Sequence, residues 1–197
     1  LEVLSLFAFS RENWQRPPEE IEALMRLLQE YVSQEAAELR AKGVAVRMLG
    51  ELDRLTPPAR AAVDTIEALT RDGSTLALNI CLSYGSRAEL ARAARLLAEE
   101  VQAGRQAPAD IDEAAVARHL YTAAWPDPDL LIRTSGEHRL SNFLLWQIAY
   151  AEFHVTPVLW PDFTRRHLFE AILDFQRRDR AQCGRGEPGN QQGLCGQ

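Results

Sequence analysis

Apolar residues along the chain fall into two alternating patterns: short dense runs, and longer stretches in which they recur every three or four positions. Dense runs bounded by turn residues predict buried strands, and the three-to-four spacing predicts amphipathic helices. Residues 1–9 (LEVLSLFAF) are a dense run. Pro17 and Pro18 then suit the first turn of a helix. Ile21, Leu24, Met25, Leu28, Tyr31, Val32 and Leu39 share one face of that helix, and Glu20, Arg26, Glu30 and Glu38 take the other, up to Lys42-Gly43. Residues 44–49 predict a second strand closed by Gly50. A second helix spans 56–71, opened by Pro57-Pro58 and stopped by Asp72-Gly73. Residues 75–82 predict a third strand. Ser86 with Glu89 reads as a capping box for a helix striped with Leu90, Ala94, Leu97 and Val101. After a mixed connection with a short helix near 112–120, strands are predicted at 129–134 and 153–159. Thr164 is placed to cap a last helix that turns Leu168, Ile172 and Phe175 inward.

Strand alternating with helix implies βαβ units and parallel pairing. The predicted fold class is therefore α/β: a single domain with a central, mostly parallel β-sheet flanked by helices, over residues 1–180. Residues 181–197 are polar and Gly-rich and are expected to be a disordered tail. Sheets of this kind bind ligands beyond the carboxyl ends of their strands, so the loops after strands are where chemistry is expected.

Charge narrows the partners. A formal net charge of -6 argues against general nucleic-acid binding but leaves room for a local basic pocket facing a small polyanion. No apolar run reaches the roughly 20 residues of a membrane helix, and no signal-peptide pattern opens the chain. Cys81, Cys183 and Cys195 are odd in number and lack metal-ligand spacing, which suits a reducing cytoplasm. The chain opens at Leu1 inside a predicted strand, so a segment upstream of it is expected.

Three loops carry candidate chemistry. The segment Arg133-Thr134-Ser135-Gly136-Glu137-His138-Arg139-Leu140-Ser141-Asn142 sets two guanidiniums six residues apart, with hydroxyls and a glycine between them. Arginine forks and hydroxyls match phosphate oxygens, and glycine lets backbone amides approach an anion. A helix predicted to start near Ser141-Asn142 would add its N–H groups. A capped turn with surface ion pairs is the competing reading. The loop Ser10–Pro17 offers Asn13, Trp14 and Arg16, with Trp14 either walling an apolar ligand or packing in the core. Tyr84-Gly85-Ser86-Arg87 lies at the same predicted edge, or simply caps a helix. Glu152 and His138 are candidate ligands for a divalent ion. A hard ion prefers the carboxylate, and an ion pair with arginine is the plainer role for Glu152.

Taken in order, FAFSRENWQRP (7–17), LNICLSYGSRAEL (78–90), DLLIRTSGEHRLSNFLLWQIAYAEF (129–153) and VLWPDF (158–163) resemble the cis-prenyltransferase family, most closely its bacterial undecaprenyl diphosphate synthase branch. The resemblance implies a cytoplasmic, homodimeric, Mg²⁺-dependent transferase of isoprenoid biosynthesis. It would condense isopentenyl diphosphate with an allylic diphosphate such as farnesyl diphosphate, making a cis double bond and releasing pyrophosphate at each step. The product implied is a long-chain polyprenyl diphosphate such as undecaprenyl diphosphate, a lipid carrier for cell-wall synthesis. Membrane contact is implied only peripherally, through that lipid. By the same resemblance Arg133, Arg139 and Ser141 grip isopentenyl diphosphate, and Glu152 and His138 lie near the metal. Asn13, as a catalytic residue, and Trp14 and Arg16, as binding residues, border the reacting ends. The growing chain would lie in an apolar tunnel between the sheet and two helices, one of them the 19–42 helix.

Three features depart from the family pattern or fall outside the chain. A D-G-N-G-R-W motif, carrying the metal-binding Asp, is expected upstream of Leu1. Ser83 stands where the family commonly has Asn. Arg180 runs into Ala181-Gln182-Cys183-Gly184 rather than an Arg-rich stretch ending in Arg-x-Gly. Two further readings stay open on sequence: a short- or medium-chain Z-prenyl diphosphate synthase, and a non-catalytic partner subunit of the Nogo-B-receptor type. Retention of Asn13-Trp14-Gln15-Arg16-Pro17 and of the 133–142 loop favours catalysis.

Overall fold

The computed structural model describes residues 1–178, and the predicted tail at 181–197 lies outside them. The elements follow the predicted order: β1 (Val3–Ser10), α1 (Pro18–Ala41), β2 (Val44–Leu49), α2 (Pro57–Thr70), β3 (Leu76–Tyr84), α3 (Ser86–Gln102), α4 (Glu113–Ala117), β4 (Leu130–Arg133), β5 (Glu152–Val155) and α5 (Arg165–Arg177). The fold is α/β with parallel strands flanked by helices. The described residues divide into two compact units, one of Leu1–Pro126 with Ser141–Leu145, the other of Asp127–Leu140 with residues 146–178. The predicted strands are shared between a sheet in each.

In the first unit the order is β1-β3-β2, both pairings parallel. β3 is central because it can be: every residue from Leu78 to Tyr84 is buried. Leu78, Ile80 and Leu82 belong to one core cluster with Met25, Val32 and Ala36 of α1 and Ala59, Val63 and Ile66 of α2. Complete burial of a Val or Ile side chain contributes about 1.5–3 kcal/mol, so Val63 and Ile66 alone tie α2 firmly to this cluster. Tyr31, assigned from its spacing to the buried face of α1, is instead exposed. The register slips between Phe7 and Ser10, so that Phe9 pairs with Leu82 and Ser10 with Tyr84. That irregularity re-aims the end of β1 just before the 3-10 turn Arg11–Gln15.

Two local expectations are corrected. No helix starts at Ser141-Asn142: residues 141–150 are turns and bends, and Ser141, Asn142 and Leu144 all have positive φ, which a right-handed helix cannot contain. Nor do Ser86 and Glu89 form a capping box. Glu89 turns into the interior, accepting the Tyr84 hydroxyl at 2.5 Å and the Tyr121 N–H at 2.7 Å. Burial and the Glu89 carboxylate push the Tyr84 phenol far above its ordinary range.

In the second unit β4 and β5 pair in parallel, Leu130 with Glu152 and Arg133 with Val155. The strand predicted at 153–159 thus begins at Glu152 and ends early. Beyond it the backbone of Thr156 and Val158 accepts from the N–H groups of Gly136 and Ser135, at 2.9 and 2.8 Å, and pins the 133–136 loop. His119, His154 and His167, which show no partner in the sequence, each have one: Glu100 at 3.3 Å, Asp174 at 3.0 Å, and the Thr164 N–H at 3.0 Å.

Gly50 closes β2 at φ +146, and a Cβ there would stand 1.9 Å from the Leu82 carbonyl oxygen. Gly104 also has positive φ, yet open space surrounds its Cβ position. Gly50→Ala is expected to cost about 3 kcal/mol or more, and Gly104→Ala about 1 kcal/mol, in urea unfolding. Equal costs would show that the close approach of Gly50 to β3 is absent.

Candidate active site

At the carboxyl edge of the three-stranded sheet, β1 runs into the turn Arg11–Gln15, β2 into Gly50–Arg54, and β3 into Ser83–Arg87. Asn13 and Trp14 sit in the first of these. Asn13 Oδ1 accepts the Ser10 N–H at 2.8 Å. Its oxygen is thereby committed to holding the turn, and what Asn13 can offer a ligand is its NH₂, a donor. Trp14 packs toward the core, one of its two sequence readings. Its ring packs partly buried against the core cluster, edge-on to Phe9 at 5.2 Å, while its indole N–H donates to Ser83 Oγ at 2.8 Å. Arg54 lies over the same ring, 4.9 Å from its centroid. Arg16 is exposed and lies 3.8 Å from Glu20, its neighbour one helical turn on.

Asn142 straps this edge together. Its Oδ1 accepts the Arg87 N–H at 2.9 Å and its backbone oxygen the Ser86 N–H at 2.9 Å, so the start of α3 is capped from outside its own helix. Its Nδ2 donates to Glu12 Oε1 at 2.9 Å. The Ser86 hydroxyl accepts the Leu145 N–H at 3.0 Å. Gly85 leaves the space: a Cβ there would lie 2.8 Å from Asn142 Nδ2. Ser141, next to it, has φ +50. Burial raises the Glu12 carboxyl, but the Asn142 amide, its own backbone N–H, Ser10 and Arg11 together bring it below 4.5.

In the second unit, Arg133 and Arg139 both converge on Glu137. Arg133 Nη2 bonds one carboxylate oxygen, and Arg139 Nη2 bonds the other at 2.5 Å. Of the two readings of this loop, the turn with ion pairs is the arrangement seen. The two guanidiniums are drawn to a single point of negative charge, and the Arg133 hydrogen bond leads the effects that lower the Glu137 carboxyl. His138, between them in sequence, is exposed.

Glu152 sits elsewhere. The β4–β5 register puts it opposite Leu130, three residues from the end of the ladder that carries Arg133, or roughly 10 Å at a strand's rise per residue. Its ion pair is with Arg178, Nη1 to Oε2 at 2.8 Å, and Arg178 also holds Asp174 at 2.5 Å. Among the described residues no group of three His, Cys, Asp or Glu is arranged to hold a metal ion. One carboxylate still fits the usual demand of Mg²⁺, which takes one or two from protein and the remainder from substrate phosphates and water. Glu137, Arg178, Arg54 and the Asn142 strap were not singled out from sequence. Arg178 stands 26 positions from Glu152 and Arg54 stands 40 from Trp14, too far for any spacing rule to pair them.

A groove of about 680 Å³ runs between α1 and α2, lined by Val32, Ala36, Ala41, Ala62 and Leu69 among others. No helix of the described residues is long and apolar enough to cross a membrane.

Residues 1–183 match the family model described as "Putative undecaprenyl diphosphate synthase". The chain belongs to this family. An isoprenyl transferase of Geobacillus kaustophilus (strain HTA426) is 48% identical over 180 residues, 91% of this chain and 70% of that one. An isoprenyl transferase of Heliobacterium mobile is 48% identical over 177 residues, 90% of this chain and 68% of that one. Among solved structures, lavandulyl diphosphate synthase from Lavandula x intermedia, in complex with dimethylallyl diphosphate, superposes with TM-score 0.89 at 34% identity, covering 92% of this chain and 78% of that one. A "probable undecaprenyl diphosphate synthase" from Campylobacter jejuni superposes at 0.80 and 33% identity, over 91% and 82%. The chain is a cis-prenyltransferase, an enzyme of the transferase class that elongates prenyl chains and takes diphosphate substrates.

Asn142→Ala is expected to destabilise the first unit by about 1 kcal/mol, the usual value of a helix cap. Glu12 has a depressed folded value, so the part of that loss due to Glu12 is complete at neutral pH and fades as pH falls through that value, below 4.5. Urea unfolding of both proteins from pH 7 to pH 3 checks this. A gap that does not narrow on acidification removes Glu12 from the strap.

Proposed function

We propose that this cis-prenyltransferase condenses isopentenyl diphosphate with an allylic diphosphate, farnesyl diphosphate or a similar primer, in the cytoplasm, and makes a long-chain polyprenyl diphosphate such as undecaprenyl diphosphate. The observation that carries the reading is the pair of guanidiniums gathered on Glu137. An alkene nucleophile has no charge of its own to steer it, so it must be held by its diphosphate. Arg133 and Arg139, aimed at one negative point, supply that hold. An incoming diphosphate displaces the Glu137 carboxylate from the clamp.

At the sheet edge the Asn13 NH₂, Trp14 and Arg16 face the allylic partner. The new carbon–carbon bond forms as the allylic carbon–oxygen bond breaks, the diphosphate leaves, and the isopentenyl unit loses a proton. Charge accumulates on the leaving diphosphate, and donors fixed in advance are worth most there. A substrate-borne Mg²⁺, held by Glu152 with His138 near it, would supply further charge stabilisation. The groove between α1 and α2 gives the growing apolar chain a place out of water.

A homodimer fits the second unit. Phe153 and Val155 are the exposed alternate residues of β5, and Phe169 and Leu173 are exposed one turn apart on α5. A second copy would cover these apolar side chains. A shorter product is favoured by one observation, the likeness to a lavandulyl diphosphate synthase holding dimethylallyl diphosphate.

The test is incubation of the full-length protein with labelled isopentenyl diphosphate and farnesyl diphosphate, with and without Mg²⁺, followed by separation of products by length. Magnesium-dependent products many units long are expected, a product of one or two additions selects the short-chain reading, and no product at all overturns both. Arg133→Ala is expected to raise the KM for isopentenyl diphosphate about tenfold or more, the loss of one charge-assisted contact. An unchanged KM removes Arg133 from the clamp. Glu152→Gln is expected to move the Mg²⁺ titration of activity to higher concentration, and an unaltered titration removes Glu152 from the metal.

A further inference from the structure

We infer that Ser83 and Arg54 are positioning residues for Trp14, and that position 83 requires a side-chain oxygen on a left-handed backbone rather than serine as such. This rests on the reading of Trp14 as a residue that faces the allylic substrate.

Three strands contribute to the hold on one ring. Phe9, near the end of β1, meets it edge-on at 5.2 Å and an interplanar angle of 76°. Arg54, in the turn after β2, places its guanidinium 4.9 Å from the centroid. Ser83, in β3, accepts the indole N–H at 2.8 Å. The two polar contacts restrain different motions. A hydrogen bond in the plane of the indole fixes which edge faces the sheet, and a cation over the face opposes tilting. Arg54 is itself braced: its Nη1 lies 3.7 Å from Glu51, which also lies 3.4 Å from Arg11 in the turn that carries Trp14.

Ser83 is an unfavourable residue for its backbone. It is wholly buried and has φ +52, where glycine, asparagine and aspartate are the residues of lowest cost. Glycine would relieve the strain but leave the indole N–H without its acceptor. Asparagine meets both demands: it tolerates the left-handed region and has a side-chain carbonyl. Serine meets the second and tolerates the first. The shared property of the two residues is the acceptor, and the group that uses it in this structure is Trp14.

The measurement is solvent exchange of the Trp14 indole N–H by ¹H–¹⁵N NMR of the full-length protein, with the resonance assigned by its loss in Trp14→Phe. Steady-state KM and kcat for each substrate are measured alongside. Ser83→Ala is expected to speed exchange about tenfold or more, since protection reports the open population of that bond. It is also expected to raise the KM for the allylic diphosphate severalfold while leaving that for isopentenyl diphosphate in place. Ser83→Asn is expected to restore both. Arg54→Gln, on an exposed side chain that does not threaten folding, is expected to speed exchange by a smaller factor. Unchanged exchange in Ser83→Ala and in Arg54→Gln overturns the inference. Exchange in Ser83→Asn as fast as in Ser83→Ala overturns the requirement for an acceptor. Faster exchange with every kinetic constant unchanged leaves the positioning of Trp14 intact and overturns its assignment to the substrate.

Discussion

In a strand buried on both faces an unpaired polar atom is costly, and β3 is such a strand from Leu78 to Tyr84: both amide atoms of Asn79 near its start lack a hydrogen-bond partner, but the hydroxyls at its end have theirs. Its last residues are Ser83 and Tyr84, and both carry hydroxyls into the interior. The Ser83 hydroxyl takes the indole of Trp14, and the Tyr84 hydroxyl takes Glu89. Each partner comes from a different stretch of chain, the first from the turn after β1 and the second from α3. Satisfying the end of β3 therefore draws the β1 loop and the α3 start to the same edge. Asn142 completes the closure by capping α3 and reaching Glu12. The candidate site at this edge is in that sense a by-product of hydrogen-bond accounting in the core.

That origin explains why the fold was legible and the site only partly so. Apolar periodicity placed the strands and helices, because burial acts on a whole face at once and averages over individual residues. It misassigned Tyr31, where one residue of a helical stripe leaves the interior. Hydrogen bonds have no such average. The Ser86–Glu89 spacing fits a capping box, yet a buried Tyr84 hydroxyl and the Tyr121 N–H compete for the same carboxylate and hold it. The helix expected at Ser141 fails for a similar reason. Asn142 caps α3 from this segment, and Ser141, Asn142 and Leu144 have positive φ there.

The arginine loop was legible because its chemistry is local. Arg133, Glu137 and Arg139 lie within one turn of chain, so spacing alone brings the cations to one anion. The partner of Glu152 could not be read in this way. An ion pair with arginine is the plainer sequence reading, and Glu152 makes one, but with Arg178, because the parallel register of β4 and β5 puts it at the opposite end of the ladder from Arg133. Register is set by pairing between strands, which no single-strand pattern encodes.

The ion pair that Glu152 does make is compatible with a second role. Arg178 and Glu152 are both partly exposed, at 33% and 25% of their side-chain surface, and pairs of that kind contribute about 1 kcal/mol or less. A divalent ion arriving on a diphosphate attracts a carboxylate more strongly than one partly hydrated guanidinium does, because the charge is doubled and the coordination distance shorter. The cost of releasing Glu152 is lowered again by Asp174, which holds Arg178 at 2.5 Å through the other nitrogen. Arg178 would thus keep a counter-charge if Glu152 turned to the proposed metal. Asp174 in turn keeps His154 at 3.0 Å. On the proposed metal role of Glu152, the four residues of this ion-pair chain would make one of them inexpensive to lend.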